Sequence, residues 1–321
     1  MSMMKRCLFL LLLSLPLVAL TACETPQWGG VPTVPITATN PQAPETATAS
    51  ATVTAAVPPT EVTVSSQPPT PTLSPDSWKS MPIVPVVSQR MIEVYRTGVA
   101  AGRNSARFSK VGDCQNITTY FLASFDSPND YRLGSTYAYL QLTIDHFADS
   151  WSRQSLAVKG GMNVAAVQNP MWANHDMCNS GETPIACEIR KNNPSIVLIS
   201  LEESWSGDID KYDRYMRTIV EYVLSQDVVP ILATRAEGPD PKISINTTVA
   251  QIAYDYDVPL WNFWAAAYPL PSHGLTADGF HLTWAAPFFD DPLRMKMGWP
   301  WRNLTALQVM ETVWHVMAEG Q

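Results

Sequence analysis

The runs SIVLISL (195–201), IDKYDRYMRTIVEYVLS (209–225) and VVPILA (228–233) decide the fold. The first and third are short, apolar and rich in β-branched residues, which suits strands buried on both faces. Between them Tyr212, Tyr215, Met216, Ile219, Val220 and Val223 recur at helical spacing, and Asp208 stands where an N-cap belongs. Strand, long helix and strand make a parallel crossover unit. The pattern repeats outward. Residues 107–111, 156–158 and 258–263 read as further strands, and 86–101, 137–147, 247–256 and 304–317 as helices. Five strands alternating with helices predict an α/β protein: a three-layer α/β/α sandwich around a mostly parallel five-stranded sheet, in one domain over residues 77–321.

Two segments of different character precede that domain. MSMMKRCLFLLLLSLPLVALTAC (1–23) has a basic start in Lys5 and Arg6, a Leu-rich middle and small residues behind it, the layout of an export signal. Its end, Leu20-Thr21-Ala22-Cys23, resembles the lipobox of bacterial lipoproteins. The resemblance implies a signal peptide over residues 1–22, lipidation of Cys23 and attachment to a cell membrane on its extracytoplasmic side. An ordinary secretory signal ending near a cysteine is the other reading. Residues 23–76 are mostly Thr, Pro, Ala, Val and Ser, with no Lys or Arg before residue 76. They have no period to bury, which predicts a disordered tether.

The whole-chain balance narrows the function. A formal net charge of −8 disfavours a nucleic-acid partner, which would need a basic face to meet phosphates, so none is expected. At 46% hydrophobic residues, the chain is too apolar for general disorder. Its one long apolar run, from Cys7 to Leu20, is too short to span a bilayer comfortably, which excludes a multipass membrane protein.

In parallel sheets chemistry gathers at the carboxyl ends of the strands. Three segments fall there: Lys110-Val111-Gly112-Asp113-Cys114-Gln115, Lys159-Gly160-Gly161-Met162-Asn163, and Thr276-Ala277-Asp278-Gly279-Phe280-His281-Leu282. An acid three residues before a histidine can hydrogen-bond one ring nitrogen and stabilise the protonated ring. The other ring nitrogen then serves as base towards a nucleophile from another strand end.

In block order and spacing, residues 107–317 resemble the SGNH (GDSL-type) hydrolase superfamily. The resemblance implies a flavodoxin-like strand order and a Gly-Asp-Ser nucleophile block, here Gly112, Asp113 and Cys114. It also implies an oxyanion glycine, here Gly160 or Gly161, and a late Asp-x-x-His, here Asp278 and His281. Two positions depart from the pattern. Cys114 replaces the nucleophilic serine, and the oxyanion asparagine after the third strand gives way to Glu202-Glu203-Ser204. A thiolate is the stronger nucleophile, but with a pKa near 8.5 only a few per cent is ionised at neutral pH unless His281 takes the proton. A small buried thiol at a strand end is the competing reading of Cys114. A lost oxyanion donor slows acyl transfer by roughly 10²–10³. An ionised glutamate about 4 Å from the oxyanion would oppose it by roughly 4 kcal/mol at an effective dielectric of 20. The site therefore needs Glu202 and Glu203 to point elsewhere, or a substitute donor from Ser204, Asn163 or Asn116.

The remaining features are weaker. Cys178 and Cys187 bracket a turn-rich loop and outside the cytoplasm are expected to pair as a disulfide. Cys114 is then the odd cysteine of the domain. The cysteines lack metal-ligand spacing, so neither metal nor organic cofactor is expected. Trp261, Trp264, Trp284, Trp299 and Trp301 crowd the last quarter, where they could stack on sugar rings, wall an apolar pocket or simply pack the core. The expectation is an exported, lipid-anchored, monomeric ester hydrolase. Its catalytic residues are Cys114, His281 and Asp278, and its substrate is an acylated carbohydrate or other small ester. The alternative is an inactive relative that binds a glycan or peptide at the cell surface. A separation within about 4 Å between the Cys114 sulfur and a His281 ring nitrogen is what catalysis requires.

Overall fold

The computed structural model describes residues 72–202, 207–239, 241 and 244–319. The expected signal peptide (1–22), Cys23, the tether up to residue 71, Glu203 and Ser204 lie outside the described residues. The chain order is α1 (Gln89–Ala100), β1 (Asn104–Gly112), α2 (Gln141–His146), α3 (Pro184–Asn192), β2 (Pro194–Ser200), α4 (Ile209–Ser225), β3 (Val229–Ala233), α5 (Asn246–Tyr256), β4 (Leu260–Trp261), α6 (Phe263–Ala267) and α7 (Gly298–Glu319).

β1, β2, β3 and β4 lie side by side in that order, all parallel, with Val111 opposite Ile199 and Gly112 opposite Ser200. Every residue of β2 is buried, because helices cover both faces of the sheet. Alternation along the strands assigns the layers. Ser109 of β1 bonds Glu188 of α3, while its neighbour Lys110 reaches the Trp151 carbonyl on the opposite side. Ser200, on the Lys110 side, accepts from Arg302 of α7. α7 packs with α1, α2 and α6, and α4 packs with α5, so the sheet lies between two helical layers.

α4 forms as its sequence predicts. The Asp208 carboxylate accepts from the Lys211 N–H at 3.0 Å, and Tyr212, Met216, Ile219, Val220 and Val223 are buried along one stripe. α1 starts at Gln89 rather than residue 86, because Ser88 supplies the cap by accepting from the Met91 N–H. α7 runs about two turns further than residues 304–317, mostly at its N-terminal end, where Trp299, Arg302 and Asn303 are buried.

The expected strand at 258–263 shrinks to β4, with Phe263 opening α6, and two further elements differ from expectation. Residues 156–158 do not form a fifth strand and contribute a single parallel bridge, Val158 with Gly112. Their N–H groups are taken by partners other than a neighbouring strand: Leu156 donates to Glu188, and Ala157 and Val158 donate to Ser155. With that bridge counted as a rudimentary second strand, the order is the 2-1-3-4-5 arrangement of a flavodoxin-like sheet. The second difference is α3, which occupies the end of the expected turn-rich loop. Thr183 caps it, Pro184 takes its first position and Asn193 ends it in the left-handed conformation at φ 50°.

Cys178 and Cys187 are bonded to each other and tie the loop to α3. Closing a loop of about ten residues is worth roughly 2.5–3 kcal/mol on the chain-entropy account. Reducing this bridge is therefore expected to lower unfolding stability by about that amount in urea titrations with and without reductant. An unchanged midpoint would show that the loop is held by its other contacts, among them the Arg190–Glu182 pair at 2.6 Å.

Candidate active site

β1 ends at Gly112, and the chain turns at once. Asp113, wholly buried, accepts from the Gln115 N–H at 2.9 Å and from the Glu202 N–H at 2.7 Å. One carboxyl group thus joins the loop after β1 to the loop after β2. Burial, followed by the nearby Glu202 carboxylate, pushes the Asp113 acid up to about 7. Gly112 is packed so closely that a Cβ there would lie 2.0 Å from Asn116 Nδ2 and 2.6 Å from the Ser200 carbonyl. Asn116 donates to that same carbonyl at 2.6 Å. These contacts hold Cys114, the first residue of a three-residue 3-10 turn, at the sheet edge. A turn of that length contributes little of the dipole that a full helix start would.

Cys114 and His281 meet. The sulfur lies 3.6 Å from His281 Nε2, and His281 Nδ1 lies 2.6 Å from Asp278 Oδ2. The other Asp278 oxygen accepts from Thr276 Oγ1 at 2.7 Å and from the Phe280 and His281 N–H groups at 2.9 Å each. Burial opposes its charge, but the His281 ring and these three donors together hold the Asp278 carboxyl well below the usual range. An ionised Asp278 keeps the proton on Nδ1 and leaves Nε2 to accept from the thiol. Gln115 Nε2 donates to the Phe280 carbonyl at 2.7 Å, lacing the cysteine loop to the histidine loop.

The glycines sit across the bridge from Cys114. Gly112 donates to the Ala157 carbonyl and accepts from the Lys159 N–H at 3.3 Å, which aligns the 159–162 turn with the end of β1. That turn is closed by Met162 N–H to Lys159 O at 3.0 Å, with Gly161 at φ 75° where a side chain would be strained. Gly160 and Gly161 are both exposed. Asn163 spends its side-chain oxygen on the Ala165 and Ala166 N–H groups at 3.0 and 2.9 Å, as a turn cap.

Glu202 is only 3% exposed and turns inward. Its Oε1 lies 2.8 Å from Arg302 Nη2 and 2.9 Å from Ser200 Oγ, so its charge is spent beneath the site. Arg235 donates to the Glu202 carbonyl at 2.8 Å. Arg302 is fully buried, with its guanidinium 4.9, 5.2 and 5.1 Å from the Phe121, Trp261 and Phe263 rings. Gln115 and Thr276 stood in the candidate segments without a role, and Arg302 escaped the sequence reading. Arg302 stands just before the helix expected at 304–317, next to the polar Asn303, so nothing in the local pattern marked it as buried.

Among the described residues, Cys178, Glu182 and Cys187 lie close enough together to suggest a metal site, but both sulfurs are committed to the disulfide. No protein-family model matches the chain, and no curated protein matches it. Among solved structures it is similar to a GDSL-like lipase from Bacteroides thetaiotaomicron, with 12% identity over 72% of this chain and 100% of that one, at a TM-score of 0.37.

Proposed function

We propose that this chain is a carboxylic-ester hydrolase in which Cys114 is the nucleophile, His281 the general base and acid, and Asp278 the residue that orients His281. The carrying observation is the unbroken chain from sulfur to imidazole to ionised carboxylate, at 3.6 and 2.6 Å. In the first half-reaction His281 Nε2 takes the thiol proton and the sulfur adds to the ester carbonyl carbon. The bond to the alcohol oxygen then breaks, and His281 returns the proton to that oxygen, leaving a thioester. In the second, His281 deprotonates a water that attacks the thioester, the carbon–sulfur bond breaks, and the carboxylic acid leaves with the thiol restored. The Cys114 and Gly160 N–H groups are the proposed oxyanion donors.

The inward turn of Glu202 supports this reading, since it removes a charge that would oppose the oxyanion. The cap leaves Asn163 Nδ2 unspent, but the asparagine that the family pattern places after the third strand is replaced by Glu202-Glu203-Ser204, and one donor is worth roughly 10²–10³ in rate. Turnover below the usual ~10 s⁻¹ is therefore expected. The test is hydrolysis of a chromogenic acetyl ester before and after alkylation of the thiol with iodoacetamide. Abolition supports the assignment, and hydrolysis indifferent to alkylation refutes it.

The finer reading is an acyl ester on a carbohydrate outside the cytoplasm, with the enzyme held at a membrane through lipid on Cys23. The Leu20-Thr21-Ala22-Cys23 motif supports the anchor. Lipidation would make the chain partition into detergent and incorporate a labelled fatty acid in bacterial cells, and Cys23→Ala should abolish both. Equal labelling of that variant would remove the anchor from the account.

A further inference from the structure

A cleft of about 400 Å³ is lined in part by the segments that follow Cys114 and His281 in the chain. One wall begins at Thr119, five residues after Cys114, and the other at Trp284, three residues after His281. At roughly 3.6 Å of reach per residue, these walls start within about 18 and 11 Å of the dyad's backbone. Gln115 joins the two segments at their origin.

The cleft has an unusual lining. Tyr120 and Trp284 are 50% and 64% exposed, while Trp261 and Trp299 of the same aromatic group are buried. Tyr120 is fixed rather than loose. Its ring stacks on Trp299 at 5.7 Å, and Asn303 donates to the Tyr120 and Trp299 carbonyls while accepting from the Leu122 N–H at 2.6 Å. Leu122 is thereby held at φ 69°, a conformation that disfavours a branched side chain without such support. The side chains of Thr119, Ser124, Asp130 and Ser152 make no hydrogen bond to protein among the described residues, so their donors and acceptors face the cleft and solvent. No Lys or Arg lines it.

Exposed ring faces beside hydroxyls and one carboxylate suit a ligand with apolar C–H faces and hydroxyl edges. A long acyl chain would set its methylenes against those hydroxyls and forfeit most of what each could gain by burial. An anionic sugar would meet Asp130 with no cation to offset it. We propose that this cleft holds the neutral glycosyl unit that carries the ester, with Trp284 as its principal stacking surface. The inference rests on the hydrolase reading for the bond that is cut, but not for the binding itself.

The experiment uses two substrates and two variants. Trp284→Ala is expected to raise KM for an acetylated neutral xylo-oligosaccharide by about 10–100-fold, the size of a lost aromatic anchor, while nitrophenyl acetate kinetics stay within about twofold. The Cys114→Ala chain, which cannot turn over, is expected to bind the same oligosaccharide saturably in calorimetry, and Cys114→Ala/Trp284→Ala to lose that binding. Equal effects of Trp284→Ala on both substrates, or no saturable binding by Cys114→Ala, would overturn the cleft assignment. Saturable, Trp284-dependent binding without turnover by the native chain keeps the cleft and removes the hydrolase reading. Turnover of nitrophenyl acetate with no sugar binding does the reverse.

Discussion

Replacing Cys114 by Ala is expected to lower kcat/KM for a chromogenic acetyl ester by at least about 10⁴-fold. Without the sulfur no thioester forms, and what remains is positioning plus the oxyanion donors, which in comparable triads leave roughly 10³–10⁴ over water. His281→Ala should cost nearly as much, because the sulfur 3.6 Å away then has no base to take its proton. The two groups act as one unit, so the double variant should be no slower than the worse single one. Asp278→Ala should cost less than either, since Asp278 meets the imidazole at the ring nitrogen that faces away from the sulfur and does not itself touch the reacting atoms. Its side chain is also half exposed, so water can partly take its place. Steady-state kinetics on the four proteins check this order. Losses that multiply in the double variant would mean that sulfur and imidazole work separately.

The second large effect is on stability. Arg302→Ala is expected to destabilise the domain by about 3–5 kcal/mol, because it leaves the Glu202 carboxylate buried without its counterion. For a domain of this size that corresponds to roughly 6–20 °C in Tm. The penalty belongs to the orphaned charge more than to the lost attraction. Glu202→Leu/Arg302→Leu should therefore be less damaging than Arg302→Ala alone. Two Arg302 nitrogens, Nε and Nη1, have no hydrogen-bond acceptor among the described residues and lie near aromatic rings instead, which leaves the guanidinium dependent on Glu202 and Ser200. Thermal unfolding of the three variants decides the matter, and an Arg302→Ala protein as stable as the native chain would contradict this account of the buried pair.

The parts of the fold that could be read from residues were those that local chemistry determines. β2 was legible because a strand covered on both faces shows as an unbroken apolar run, and α4 because its cap and its stripe agree. The segment at 156–158 looked like a strand by composition, but its N–H groups went to Ser155 and to Glu188, about thirty residues away. α3 was hidden because Gly181 and Pro184 read as turn residues, while the Thr183 cap was the real signal. At the site, spacing alone brought Asp278 and His281 into view as a pair. The direction of Glu202 was not legible, since it depends on Arg302 exactly one hundred positions later in the chain. Among the tryptophans, only the packed structure separates Trp284 from its buried neighbours.

The central claim is that the Cys114 sulfur carries the acyl group. Rapid acid quenching of the enzyme during turnover of an aryl acetate, followed by peptide mass spectrometry, tests it most directly. The account predicts acetyl on the peptide containing Cys114, its loss on treatment with neutral hydroxylamine, and its absence in His281→Ala. Steady hydrolysis with Cys114 unmodified throughout, or acetyl accumulating on another residue, would contradict it.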